Sequence, residues 1–291
     1  MKIAADRVLP IRSVKVRVPA STSNLGPGFD CLGLALRLYN EVQVAHEGPQ
    51  VTDPFLLSAA EAFFKRAHLP AFPFSCSITG NVPRSRGLGS SVTVRLGVLA
   101  GLNELAGSPL DRNTIFQICA ELEGHPDNAS ASAFGGFTIC LPDGRCAQWD
   151  VPDELHIVLA IPHSECGTEE ARKVVPSFFS RADTVSNIAH ACRIAAAIAS
   201  HRFDLLAESF EDRIHQPARS AFVPFLRPAI LAGRSAGALG GWLSGSGSTI
   251  ACATLQNPEA VAEAMRAAIG DCDTLILSAD NEGYVAAAAA E

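Results

Sequence analysis

Several features are missing from this 291-residue chain. No apolar stretch approaches the ~20 residues that a membrane-spanning helix requires. Lys2, Asp6, Arg7 and Arg12 interrupt any leader-like apolar run near the N-terminus. None of the nine cysteines forms a C-x-x-C pair. No His/Cys/Asp cluster has zinc-ligand spacing, since His156 and His163 are neither i,i+3 nor i,i+4 partners. Lys and Arg occur singly or in pairs, and no basic run offsets the net charge of −7, which argues against a general nucleic-acid binder. Internal repeats and low-complexity blocks are also absent. These absences predict a cytoplasmic protein with no membrane and no nucleic-acid partner. Its cysteines are expected to be reduced, several of them inside apolar runs such as Ile118-Cys119-Ala120 and Ile250-Ala251-Cys252.

What is present is a globular composition, 48% apolar and 18% charged, long enough for two modest domains or one large one. Val14, Val16 and Val18 alternate with Lys15 and Arg17 as in a half-buried strand. Leu32 to Val44 reads as a strand or hairpin, Leu56 to Phe64 as a helix, and Phe74 to Ile78 as a strand. A helix over Leu110 to Leu122 should start near Asp111 and stop at Gly124. Turn clusters at Pro142-Asp143-Gly144 and Val151-Pro152-Asp153 suggest a domain boundary near residue 150. Beyond it, Ile157 to Ile161, Ile250 to Leu255 and Thr274 to Leu277 read as strands. Thr184 to Ser200, Phe203 to Phe210 and Glu259 to Ala268 read as helices. The alanine-rich tail, Val285 to Ala290, reads as the frayed end of a helix. Pattern alone therefore predicts α+β or α/β.

One segment carries chemistry by itself. Pro83-Arg84-Ser85-Arg86-Gly87-Leu88-Gly89-Ser90-Ser91 runs into a helical pattern from Val92 to Leu105. Glycines leading to a helix N-terminus expose backbone N–H groups at the positive dipole end, a natural anion site. The Ser90 and Ser91 hydroxyls add donors and an oxygen suited to magnesium. No Gly-Lys-Ser/Thr follows, so this is not a Walker A loop, and Val92 replaces the third glycine of the dinucleotide fingerprint. A capped glycine turn with no ligand remains the alternative.

Pro83 to Ser91 resembles the phosphate-binding loop of the GHMP kinases. Other segments follow in that family's order and resemble its homoserine-phosphorylating branch: Pro19 to Asp30, Glu123 to Asn128 with Gly135-Gly136-Phe137, Thr168 to Arg172, His215 to Arg219, and Leu243 to Thr249. The resemblance spans roughly Val14 to Leu255. It implies a two-domain α+β fold. Residues 1–150 would form a ribosomal-protein-like ATP-binding domain with a left-handed βαβ unit, and residues 151–291 a ferredoxin-like domain, with the site between them. It further implies ATP and Mg2+ as cofactors and L-homoserine as the small-molecule acceptor, in threonine biosynthesis. A homodimer is compatible with it.

The resemblance also distributes roles. The Gly87 to Ser91 amides would hold the triphosphate, with Arg84 or Arg86 supplying charge, and Ser91 and Glu123 would bind magnesium. Glu121 and Glu123 lie at a helix C-terminus, where the dipole disfavours carboxylates by roughly 0.3–1 kcal/mol each and a bound cation would reverse that sign. Arg172 and Arg219 match the family's carboxylate-binding arginines, suited to the task by their planar forks. Asp30 would meet the α-ammonium, and Asn24, Asn128 and Thr168 would line the acceptor site. Ser244, Gly245, Ser246 and Gly247 form the third glycine motif. Asn128, Glu123 and Ser91 are the residues assigned to catalysis. Asp127 and His125 are candidate general bases, although the resemblance implies that this branch has none.

Alternatives stay open at this point: a mevalonate-type or L-threonine kinase, or a non-catalytic ligand-binding relative. Three departures from the family pattern stand out. Val92 follows the serines where Ala or Ser is usual, and Ser248 replaces a proline. Pro54 stands roughly where an adenine-contacting asparagine is frequent, which leaves base specificity open. Gly233-Arg234-Ser235-Ala236-Gly237 matches the G-x-S-x-G elbow of hydrolases, but no histidine follows Ser235.

Overall fold

The computed structural model describes residues 12–289, except for the side chain of Thr168. Among the described residues, ten strands form two antiparallel sheets. The first contains β1 (Ser13–Ser23), β2 (Leu32–Ala45), β3 (Ser75–Gly80), β4 (Phe137–Cys140), β5 (Cys146–Trp149) and β10 (Val285–Ala288). Its order is β10-β1-β2-β4-β5, with β3 also paired to β2. The second sheet has β6 (His156–Pro162), β7 (Gly240–Leu243), β8 (Ile250–Thr254) and β9 (Cys272–Leu277) in the order β7-β8-β6-β9. Helices lie between β6 and β7 and between β8 and β9, so this half has the ferredoxin-like βαββαβ arrangement.

Four helices accompany the first sheet: α1 (Pro54–Ala67), α2 (Ser90–Leu105), α3 (Arg112–Glu123) and α4 (Asp127–Phe134). Local chemistry sets their ends. The Asp53 carboxylate accepts from the Phe55 N–H ahead of Pro54, and the Asp111 carboxylate accepts from the Thr114 N–H at 2.7 Å. Gly124, at φ 80°, ends α3 in the left-handed conformation, as its position in the sequence predicts. Helix α2 is buried over most of its length and packs Leu96, Leu99 and Leu102 into a core with Val14, Val16, Val42, Phe63 and Phe116. A second cluster joins Leu34 and Leu36 of β2 to Leu159, Ile194, Phe210 and Trp242, so the two halves share a core. The cleft described below opens beside that junction.

The remaining helices are α5 (Thr168–Lys173), α6 (Arg181–Ala199), α7 (Gln216–Arg219), α8 (Leu226–Ser235) and α9 (Pro258–Ile269). No helix among the described residues is long and apolar enough to cross a membrane.

Three expectations require correction, and one helix tolerates an internal proline. Val285–Ala288 is a strand paired antiparallel to β1, with Val14 opposite Ala288 and Arg17 opposite Val285. Ala290 lies outside the described residues. Edge pairing overrides the helical propensity of alanine here. The sheets therefore part near residue 150, but the end of the 151–291 segment returns to the first sheet. Phe203 to Phe210 forms only a 3₁₀ turn at Phe203–Leu206. Phe203, Leu206 and Phe210 are buried at a spacing that imitates a helix, while Glu208 turns the chain at φ 63°. Helix α8 runs through Pro228, which sits in its first turn, where a missing N–H is tolerated. Finally, Cys140 and Cys146 face each other across the β4–β5 hairpin and are disulfide-bonded. The other seven cysteines are free, and burial pushes the Cys252 thiol up to about 12.

Candidate active site

The glycine loop reaches α2 through residues in left-handed conformations. Ser85, Gly87 and Gly89 have φ of 54°, 71° and 68°. Space as well as conformation demands the glycines. A Cβ on Gly87 would lie 2.0 Å from the Ser244 carbonyl oxygen, and one on Gly89 would lie 2.5 Å from Ser21 Oγ. The third glycine motif thus seats directly on the loop, and the Ser244 hydroxyl donates to Gly87 O at 2.6 Å. The first amides of α2 have no intrahelical acceptor and face the cleft end of the helix.

Ser91 and Glu123 come together from α2 and α3. Ser91 Oγ donates to Glu123 Oε2 at 2.8 Å, and Arg95 Nη1 donates to Glu123 Oε1 at 2.7 Å. Glu121 points elsewhere and pairs with Arg66 at the surface. A hydroxyl and a partly buried carboxylate beside free helix amides form a hard-oxygen donor set that fits magnesium. Arg86, one of the two charge candidates, is otherwise engaged. Its guanidinium donates to the carbonyls of Pro162 and His163, clamping the loop to β6. Arg84 is exposed at the cleft and keeps its charge available.

At the other end of the cleft, Asp30 and Arg172 form a bidentate pair at 2.6 and 2.9 Å. Asn24 fixes Asp30 by accepting from its N–H at 3.0 Å and donating to Gly245 O at 3.1 Å. Arg219 is 2% exposed; its Nε donates to Ala171 O and its Nη1 to Gly245 O, which leaves Nη2 outside these bonds. His215 stacks on Phe29, and both arginines lie over the same Phe29 ring. Burial pushes His215 down. The neutral ring donates from Nε2 to Gly26 O and accepts from Arg219 at Nδ1.

Asn128 and Asp127 open α4. Asn128 donates to Ser23 Oγ and accepts from Ser21 Oγ, both at 2.9 Å. Asp127 Oδ1 accepts from the Asn128 N–H and contacts His125 Nδ1 at 2.7 Å. Burial opposes charge on this pair, yet their mutual attraction prevails: His125 is raised above the usual histidine range and Asp127 is lowered. Thr168 opens α5, but its side chain lies outside the described residues. Pro83 precedes the loop's turn, Leu88 is buried beneath it, and Ser246 lines the cleft. Gly247 closes the third motif with an N–H donated to Ser244 O.

The cleft encloses about 400 Å³ and runs from Asp53 and Phe55 at one end to Arg172 and Arg219 at the other. Pro54 is the first residue of α1, between two lining residues, Asp53 and Phe55. One contributor, Arg95, escapes the sequence motifs. Arg95 follows Ser91 by four residues, one turn along the same helix face, and that spacing was the available signal. Ser21 and Ser23 lie within the Pro19 to Asp30 motif, but nothing local in the sequence pairs them with Asn128. The G-x-S-x-G match is the end of α8, where the Ser235 hydroxyl donates to Leu231 O; no nucleophile elbow exists there.

Comparison with known proteins identifies the family. Residues 54–136 match the GHMP kinases N terminal domain, and residues 194–271 match the GHMP kinases C terminal domain. The chain is 39% identical to a homoserine kinase of Microchaete diplosiphon over 94% of its own length and 97% of that relative's. It is also 39% identical to a homoserine kinase of Deinococcus radiodurans, covering 84% and 85% of the two chains. The crystal structure of a homoserine kinase from Cytophaga hutchinsonii superposes with a TM-score of 0.86 at 22% identity. That match covers 98% of this chain and 100% of the other, and supports the fold. The chain belongs to the GHMP kinase family, in its homoserine kinase branch.

Proposed function

We propose that the protein transfers the γ-phosphate of ATP directly to the side-chain hydroxyl of L-homoserine, giving O-phospho-L-homoserine. The observation that carries this reading is the Asp30–Arg172 pair, set beside buried Arg219 in the same cleft as the glycine loop. A zwitterionic amino acid can open that pair and satisfy both partners. Its carboxylate takes the guanidinium forks of Arg172 and Arg219, and its ammonium takes Asp30. Asp30 and Arg172 each keep a charged partner before and after, and the bound carboxylate adds one for Arg219, which otherwise bonds only carbonyls and His215; both limit the desolvation cost of binding. An acceptor without an ammonium would leave Asp30 uncompensated, which disfavours a mevalonate-type substrate.

Phosphoryl transfer requires alignment and charge neutralisation more than covalent help. The α2 N-terminal amides hold the phosphates, and Ser91 with Glu123 holds Mg2+, which neutralises phosphate charge when bound. Asn128, fixed by Ser21 and Ser23, orients the acceptor. Asp127 serves chiefly to hold His125 and the start of α4. The test is incubation of purified protein with MgATP and L-homoserine, mevalonate or L-threonine, with products read by 31P NMR. Phosphohomoserine should form fastest. Preferential phosphorylation of either other alcohol would overturn the substrate assignment.

A further inference from the structure

Glu123 is an unfavourable residue in an unfavourable place. It ends α3, where the dipole repels a carboxylate, and its side chain is only 9% exposed. Arg95 resolves both problems. Its Nη1 donates to Glu123 Oε1 and to the last-turn carbonyl of Leu122, each at 2.7 Å. The guanidinium also lies over the Phe55 ring, 4.4 Å from its centroid, in a cation–π contact that helps hold it. Its Nε is buried with no hydrogen-bond partner, so the group is placed for Glu123 and Leu122 at the expense of its own third donor site.

We propose that Arg95 is a positioning residue for the metal-binding carboxylate. It anchors Oε1, so that Oε2 alone turns toward Ser91 and the phosphate loop. The proposal rests on the reading of Ser91 and Glu123 as the magnesium pair. Two opposing effects act on a cation at that site. The Arg95 charge repels it, but without Arg95 the carboxylate loses its fixed orientation and the cationic partner it has at the end of α3. Orientation is expected to win, because partners that hold a metal ligand in place are typically worth about 10- to 100-fold in metal affinity.

The experiment is calorimetric titration of ADP into the protein at increasing Mg2+, a readout independent of turnover. Arg95→Met should raise the Mg2+ concentration needed for tight ADP binding by about 10- to 100-fold, with ADP affinity in the absence of metal little changed. Arg95→Lys should recover part of the loss, since it restores the charge without the fork. In a Glu123→Gln background, Arg95→Met should add nothing, because its effect passes through that carboxylate. Unchanged or tighter Mg2+ dependence in Arg95→Met overturns the proposal, as does an equal loss in the Glu123→Gln background. If Glu123→Gln alone leaves Mg2+ dependence intact, the magnesium reading fails instead. Circular dichroism melting checks folding, and if Arg95→Met does not fold, a several-fold shift in Arg95→Lys carries the same test.

Discussion

The two ends of the cleft are built on different principles. The phosphate-binding part of the nucleotide end is made of backbone: consecutive residues 83–91, two glycines that no side chain could replace, and the amides of one helix. The acceptor end is made of side chains that converge from distant segments, with Asp30 and Arg172 separated by 142 positions. A backbone site fits any phosphate chain and has little to say about the acceptor. Selectivity must therefore reside in the side-chain end, and substitutions at the two ends should fail in different ways.

The largest effect is expected in the loop. Gly87→Ala forces a Cβ into the Ser244 carbonyl at positive φ. Turnover should fall on the order of 10²–10³-fold, as for loss of fixed anion-stabilising donors. Strain should lower stability by about 1–3 kcal/mol. Steady-state kinetics and thermal melting check the two together. A variant with native ATP affinity would show that the loop does not need the seat on Ser244.

Arg172→Lys should act only on the acceptor. It retains the charge but loses the bidentate geometry, a cost of about 1.5–3 kcal/mol for a charged hydrogen bond. The KM for homoserine should rise roughly 10- to 100-fold while that for ATP stays constant. Equal changes in both would make Arg172 a structural residue and erase the contrast between the two ends.

A smaller effect is expected at Asp127, whose carboxylate is committed to His125 and the Asn128 N–H. Asp127→Asn should slow single-turnover transfer by ~10-fold or less, whereas loss of a true general base costs about 10²–10⁴-fold. Asn128→Ala should be worse than Asp127→Asn because it releases the acceptor. Glu121→Gln should be nearly silent. Its pair with Arg66 is exposed, which places its stability contribution at about 0–1 kcal/mol.

The same contrast explains what could be read from the chain. Glycines and caps write local geometry into adjacent residues, so the loop, the Asp111 start of α3 and its Gly124 stop were all legible. Strands with alternating valines, such as β1, were legible for the same reason. The alanines of β10 were not, because their conformation is decided by an edge of the sheet more than 250 residues away in sequence. The turn after Phe203 was misread because burial at helical spacing does not require a helix. At the site, the arginines and Asp30 were found only through motif resemblance. Arg95 belongs to no motif, and only the fold shows that it faces Glu123. The Cys140–Cys146 bridge depended on hairpin register, which spacing alone does not supply.

The most direct test of a zwitterion-reading acceptor site compares L-homoserine with 4-hydroxybutanoate, which keeps the hydroxyl and carboxylate but lacks the ammonium. The ratio of their kcat/KM values should be measured in the native protein and in Asp30→Asn. The native enzyme should favour homoserine by at least about tenfold, the smaller end expected for one charged hydrogen bond. Asp30→Asn should collapse that preference through homoserine alone. If the native protein phosphorylates 4-hydroxybutanoate as efficiently as homoserine, Asp30 does not read an ammonium and the account of the acceptor end is wrong.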